Sequence, residues 1–142
     1  MNLEGCEGVT FEGFVQPAEL PAVMRRAACL VLPSLSEAWG VVVHEATSCG
    51  LHVIASEAVG AADDLVRDGV NGRVCATGDS EALADCFVWM HNRNPDDARS
   101  GVTISHQLAS AFSPSRWVES ITRLAMTSTA TKSDWRLRYI KP

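Results

Sequence analysis

Apolar positions follow two alternating rhythms along the chain, and these predict an order of strands and helices. Val9-Thr10-Phe11-Glu12-Gly13-Phe14-Val15 alternates loosely and predicts a strand, which Gln16-Pro17 ends. Residues 17–27 then place Leu20, Val23, Met24 and Ala27 on one helical stripe, with Pro17 and Pro21 tolerable only near its start. Cys29-Leu30-Val31-Leu32-Pro33 is a continuous apolar run, which suits a strand buried on both faces. A loop from Ser34 to Ala38 leads into a helix from about Gly40 to Cys49, and Gly50 is its natural stop. Leu51-His52-Val53-Ile54-Ala55-Ser56 repeats the buried-strand pattern, and residues 61–67 make a short helix closed by Asp68-Gly69. Asn71-Gly72 signals a turn into Arg73-Val74-Cys75. Asp79 is placed to cap a helix over 80–92, where Leu83, Phe87 and Met90 share a face. Asn94-Pro95 caps the next helix, and Ser113-Pro114 begins a last one carrying Trp117, Ile121 and Leu124.

The order β-α-β-α-β-α-β followed by helices predicts an α/β fold, a Rossmann-like parallel sheet with flanking helices. Ligands of such sheets lie outside the carboxyl ends of the strands, which points to the loops after Leu32 and after Ala55. Composition fits one globular domain: 142 residues, 46% hydrophobic and 20% charged. The net charge of −5 lacks the basic face that nucleic-acid binding needs. The longest apolar run, Ala27 to Leu32, is too short to span a bilayer, and the first residues lack the basic and apolar regions of a signal peptide. Cys6, Cys29, Cys49, Cys75 and Cys86 form no Cys-x-x-Cys, and an odd count fits a reducing, cytoplasmic compartment with the thiols as core fillers. His44, His52, His91 and His106 are scattered, so no metal is assigned.

Candidate chemistry concentrates in Pro33-Ser34-Leu35-Ser36-Glu37-Ala38-Trp39-Gly40-Val41-Val42-Val43-His44-Glu45-Ala46. This stretch leaves a strand at its carboxyl end and opens a helix. A helix N-terminus offers free N–H groups and a partial positive charge, which together attract anions. Gly40 carries no Cβ, so a phosphate can approach the backbone there. Glu37 precedes the helix, and Glu45 lies ~7.5 Å along its axis. A phosphate at the N-terminus leaves Glu45 about one ribose away, and a carboxylate accepts well from two vicinal hydroxyls. The arrangement suits a sugar near Glu37, phosphates over Gly40 and Val41, and a ribose at Glu45. Ser34-x-x-Glu37 scans equally as a capping box, and Glu45 as a solvated helix residue. Spacing alone leaves these readings open.

The same stretch resembles the E-x7-E signature of retaining GT-B glycosyltransferases, especially family 4. Pro33-Ser34, Glu37, Trp39, Gly40, Glu45-Ala46 and Gly50 carry the match. Phe11-Glu12-Gly13-Phe14 resembles the family's F-x-G strand, Asp68-Gly69-Val70-Asn71-Gly72 its glycine turn, and Phe112-Ser113 with Trp117 its closing helix. The resemblance runs from about residue 9 to 126 and implies a donor-binding, nucleotide-sugar domain over 1–126, followed by a polar and basic tail over 127–142. It implies that Glu37, the catalytic-side carboxylate, touches the donor hexose and that Glu45 holds the ribose. Ser36, Trp39 and the amides of Gly40 and Val41 complete the donor site. The nucleotide sugar is a substrate, and neither a metal nor another cofactor is expected. Basic groups and helix dipoles would stabilise the leaving diphosphate.

Three features depart from the family. Nothing corresponds to its acceptor-binding domain. The strands that supply an Arg and a Lys to the diphosphate have no counterpart, and Arg25 and Arg26 read as surface residues. His52 stands where the family usually has Pro, near the ligand end, and reads as a strand-start substitution rather than a base. The expectation is therefore a partial donor domain that transfers sugar only with an acceptor half in trans, or within a homo-oligomer. The alternatives are a module that binds a nucleotide without turnover and a decayed fragment acting through protein contacts. The tail from Thr127 alternates polar residues, then aromatic residues with Arg, and reads as an edge or docking strand or as a frayed end. Its four basic residues against one acidic are too few to argue for a membrane.

Overall fold

The computed structural model describes residues 8–127. The tail beyond Thr127 and Cys6 lie outside the described residues, so the expectations placed on them are not addressed below. The chain divides into two compact units, Met1–Ala109 and Ser110–Pro142. In the first, α1 (Leu20–Met24), β1 (Cys29–Leu32), α2 (Val41–Ser48), β2 (His52–Ser56), α3 (Gly60–Leu65), β3 (Gly72–Cys75), α4 (Ser80–His91) and most of α5 (Pro95–Ala111) follow in order. The second holds the end of α5 and α6 (Pro114–Thr127).

The three strands form a parallel sheet in the order β1-β2-β3. Cys29 pairs with His52 and Leu32 with Ala55, while Val53 pairs with Gly72 and Ser56 with Cys75. The helical crossovers α2 and α3 let each strand return parallel to the last. β2 is buried at every residue, as its continuous apolar run predicts. On one face Val53 and Ala55 pack with Val43 of α2 and with Val59, Ala61, Ala62 and Leu65 of α3 and its approach. On the other, Ile54 packs with Cys75 and with Cys86 of α4, joined by Cys29, Val31, Leu83 and Met90. β1 is only half-buried, because it lies at the edge of the described sheet.

Two expectations are corrected. Residues 9–15 form no strand: Phe11 and Phe14 are 64% and 84% exposed, and an Arg26–Glu12 ion pair at 2.9 Å ties the segment to the end of α1. Alternation describes a half-buried strand, but a strand exists only where a neighbour takes its backbone bonds, and no described residues do so here. The helix expected over 17–27 is confined to Leu20–Met24. Pro17 and Pro21 fix where it starts, and Ala27 already closes on the Met24 carbonyl. Met24 packs with Ala46 and Leu51, which seats α1 against α2.

Polar links cap the helices and tie the elements to one another. Asp79 caps α4, accepting from the amides of Glu81 and Ala82, and Asn94 caps α5, accepting from Asp96 and Asp97. Asn71 is fully buried. It accepts from the Arg67 amide at 2.6 Å and donates to the Leu65 carbonyl and Ser105 Oγ, both at 3.0 Å. Ser105 in turn donates to the Leu51 carbonyl, so one side chain binds the α3–β3 turn to α5 and to the start of β2. Trp89 is stacked by Arg93 and Arg73, whose guanidinium carbons lie 4.6 and 5.7 Å from its ring centre.

Candidate functional site

The chain leaves β1 at Pro33 and crosses the carboxyl edge of the sheet to Gly40, and this crossing is held by its neighbours. Ser56 at the end of β2 donates its hydroxyl to the Ser34 carbonyl at 2.6 Å. Glu37 forms a parallel bridge with Val59, and the Ala61 amide donates to the Trp39 carbonyl at 2.7 Å. The loop after β1 and the loop after β2 are thereby one structure, at the place where an α/β sheet binds its ligands. Glu37 is half-buried in it, while Ser36 and Trp39 are exposed.

Ser34-x-x-Glu37 does not act as a capping box. The residue preceding α2 is Gly40, and Ser34 is engaged by Ser56 instead. Gly40 has φ 93° and ψ 61°, a left-handed conformation that L residues rarely hold. A Cβ built there meets Val59 Cγ1 at 2.9 Å, so it would point into the protein. The glycine is thus required by the turn and by packing, in addition to any ligand. No side chain caps α2. The first-turn amides of Val41 and Val42 have no earlier helical turn to bond, and Val41 is 63% exposed. The helix therefore presents an open, positively polarised end beside Glu37.

Glu45 opens elsewhere on α2. It is half-buried and lines a cavity of about 200 Å³ between α1 and α2, with Pro17, Leu20, Pro21, Met24, His44, Ser48 and Cys49. His44 is fixed by a 3.1 Å hydrogen bond between Nε2 and the Ala109 carbonyl. Since a carbonyl only accepts, Nε2 carries the proton. A second cavity, about 170 Å³, lies at the carboxyl ends of all three strands, lined by Pro33, Ser56, Cys75, Ala76, Gly78, Asp79, Ser80 and Leu83.

Ser36, Glu37, Trp39, Gly40 and Val41 therefore lie along one loop-to-helix junction, and Glu45 lies one turn on, facing the α1 groove. Reading the sequence missed Ser56 and Val59, which hold that junction, and the groove walls Pro17, Leu20 and Pro21. The strand-end rule already marked the loop after Ala55, so Ser56 was within reach. Nothing in the spacing of Pro17 and Pro21 tied them to Glu45. His52 is the strand-start residue expected, but it does not lie near the ligand end. It opens β2 at the amino end, opposite the site, with only 3% exposure. Its side chain packs on Gly101 of α5, where the backbone approaches too closely for a Cβ. Arg25 and Arg26 lie just past the end of α1 and are exposed, the surface position expected of them.

Residues 1–93 match the family described as glycosyl transferases group 1. The chain belongs to this family. D-inositol 3-phosphate glycosyltransferase of Mycolicibacterium smegmatis is 34% identical over 134 residues, covering 94% of this chain and 29% of that protein. Phosphatidyl-myo-inositol mannosyltransferase of Mycobacterium leprae is 39% identical over 83 residues, covering 58% of this chain and 22% of that protein. Among solved structures, sucrose-phosphate synthase from Thermosynechococcus elongatus superposes with a TM-score of 0.72 at 28% identity, covering 83% of this chain and 29% of that one. Anabaena HepE in complex with UDP and glucose gives 0.71 at 27% identity, covering 88% and 34%. The glycosyl transferase family and the Rossmann-like fold expected from the sequence are both borne out. The chain spans less than a third of the two curated relatives. Among the described residues, no helix is long and apolar enough to cross a membrane.

Proposed function

We propose that the chain is the donor-binding part of a glycosyltransferase that moves a hexose from a nucleotide sugar, with retention of configuration. The observation that carries this reading is the open N-terminus of α2, at the carboxyl edge of the sheet, with a carboxylate on either side of it. The diphosphate lies over the Gly40 and Val41 amides, where the helix dipole stabilises charge as it builds on the leaving group. Glu37 accepts from hydroxyls of the hexose and holds it against the junction, with Ser36 and Trp39 at its border. Glu45 accepts from the two ribose hydroxyls, and the groove beyond it gives the base apolar walls in Pro17, Leu20 and Pro21. No metal is required by this arrangement. The HepE structures with UDP and with UDP-glucose support a nucleotide sugar as the ligand class. Because the chain spans 29% of the inositol phosphate glycosyltransferase, transfer and its acceptor half, in trans or from a second copy, belong to the proposal too.

The test is calorimetric titration with UDP, GDP, ADP and their glucose conjugates, beside Glu45→Ala. The expected result is saturable binding of one nucleotide series that weakens at least tenfold in the variant, a loss of ~1.4 kcal/mol. No binding up to millimolar ligand, or equal affinity in Glu45→Ala, overturns the assignment of Glu45 to the ribose.

A further inference from the structure

The loop that carries Glu37 and the helix that carries Glu45 are anchored by different parts of the fold. Core packing seats α2: Val43 and Ala46 are fully buried, the first against Val53 and Ala55 of β2, the second against Met24 and Leu51. Gly40, at the start of the helix, is buried as well. Every residue of the loop from Ser34 to Trp39 is instead half-buried or exposed. That loop is held by backbone contacts, Glu37 on Val59 and the Trp39 carbonyl on the Ala61 amide, and by the Ser56 hydroxyl. Ser56 closes β2, is 1% exposed and donates to the Ser34 carbonyl at 2.6 Å. Pro33 and Ser56 also wall the cavity of about 170 Å³ at the strand ends, so open space rather than packed side chains adjoins them there.

We propose that Ser56 is a positioning residue for the sugar end of the donor and has no effect on the nucleotide end. This role rests on the donor assignment above, in which the hexose meets Glu37 while the diphosphate and ribose meet α2. Deleting the hydroxyl leaves the half-buried Ser34 carbonyl without its donor, and such a carbonyl turns toward water to recover a hydrogen bond. The loop follows, and Glu37 moves off the hexose. An offset of about 1 Å takes a hydrogen bond of ~2.9 Å out of range. The first-turn amides of α2 and Glu45 stay where core packing holds them. Sugar recognition and nucleotide recognition therefore separate in one variant. Ser105 supplies the matched control. It is fully buried in α5 and donates to the Leu51 carbonyl at 2.8 Å, the same kind of bond placed at the amino end of β2, away from the loop.

The experiment measures Kd for UDP, GDP and ADP and for their glucose conjugates by calorimetry, in the full chain, in Ser56→Ala and in Ser105→Ala. Amide hydrogen exchange over 34–39 is followed in the same three proteins without ligand. In Ser56→Ala the ratio of conjugate Kd to diphosphate Kd should rise at least fivefold, the diphosphate Kd should stay within twofold of wild type, and loop exchange should quicken. Ser105→Ala should lower the urea midpoint and move neither the ratio nor loop exchange, which a merely structural role for Ser56 would not predict. An unchanged ratio in Ser56→Ala, or an equal rise in both variants, overturns the positioning role and leaves the donor reading intact. A wild-type chain that binds neither diphosphate nor conjugate overturns the donor reading, and the positioning role with it. Should Ser56→Ala not fold, Ser56→Cys keeps the shape with a weaker donor, and its ratio must rise in the same direction for the role to stand.

Discussion

Replacing Gly40 by alanine separates the two demands made on this position. An L residue held left-handed costs ~1–2 kcal/mol, offset by ~0.4–1 kcal/mol from a stiffer unfolded chain. The new methyl also meets Val59 Cγ1 at 2.9 Å, with Glu37 Cγ and Leu32 Cδ2 at 3.5 Å. Val59 is 1% exposed, so it cannot swing into solvent to make room. Forcing a methyl into such packing costs ~1–3 kcal/mol. The expected total is about 2–4 kcal/mol. Gly69 is the control. Its φ is 73°, but a Cβ there meets nothing within 4 Å, so Gly69→Ala bears the backbone cost alone, about 1 kcal/mol or less. Urea unfolding of the two variants, compared at equal slope, reads the difference directly. Because Val59 bridges Glu37, strain at Gly40 also displaces the candidate sugar contact, and nucleotide affinity should fall with stability in this variant only. A Gly40→Ala protein no less stable than Gly69→Ala would refute the claim that this turn is packed against Val59.

Two further predictions concern the scaffold. Asn71→Ala removes three hydrogen bonds and leaves the Leu65 carbonyl and the Arg67 amide without their partner, so stability should drop by about 3 kcal/mol in chemical denaturation. A loss below about 1 kcal/mol would mean that water replaces the side chain. His52 is held below its ordinary value of 6.5 by burial and then by the charge of Arg93. The unfolded chain therefore takes up this proton at a higher pH than the folded chain does. The His52 contribution is whole above pH 6.5 and is lost as pH falls through the folded value, so the wild-type urea midpoint should decline more steeply below pH 6.5 than that of His52→Gln. Parallel pH profiles would show that His52 does not carry this linkage.

What the sequence makes legible here is whatever neighbouring residues settle among themselves. The buried run of β2, the Asp79 and Asn94 caps, and the loop-to-helix passage from Pro33 to Val41 all stand where pattern and cap chemistry put them. The strand over 9–15 fails because alternation states which side chains could face a core and not whether a partner strand exists. The clamp on the Glu37 loop was invisible for a related reason. Ser56 and Ser34 lie 22 residues apart, and their bond is decided by the parallel register that brings the end of β2 beside the end of β1. The groove at Glu45 likewise depends on Met24 packing against Ala46 and Leu51, a contact that no local pattern announces.

The helix ends show how one backbone rule divides scaffold from candidate site. Every helix begins with amides that lack a partner in their own turn, and a folded chain must satisfy or expose them. In α1 the Gln16 carbonyl accepts from Glu19 and Leu20, and in α3 the Trp39 carbonyl accepts from Ala61. Asp79 and Asn94 serve α4 and α5, and Ser113 Oγ lies 3.4 Å from the Arg116 amide in α6. In α2 a glycine stands at the cap position, no side chain bonds the first turn, and that turn holds no acidic residue. An aspartate there would take two amides and add a negative charge, and both effects would weaken an anion site. The uncapped end is consistent with the diphosphate position proposed above. It coincides with the one helix whose start is flanked by Glu37 in the preceding loop and by Glu45 one turn on. Leaving α2 uncapped costs about 1 kcal/mol of helix stability. The clamps from Ser56, Val59 and Ala61 provide the compensating order, because they hold the approach to α2 in place through contacts within the protein.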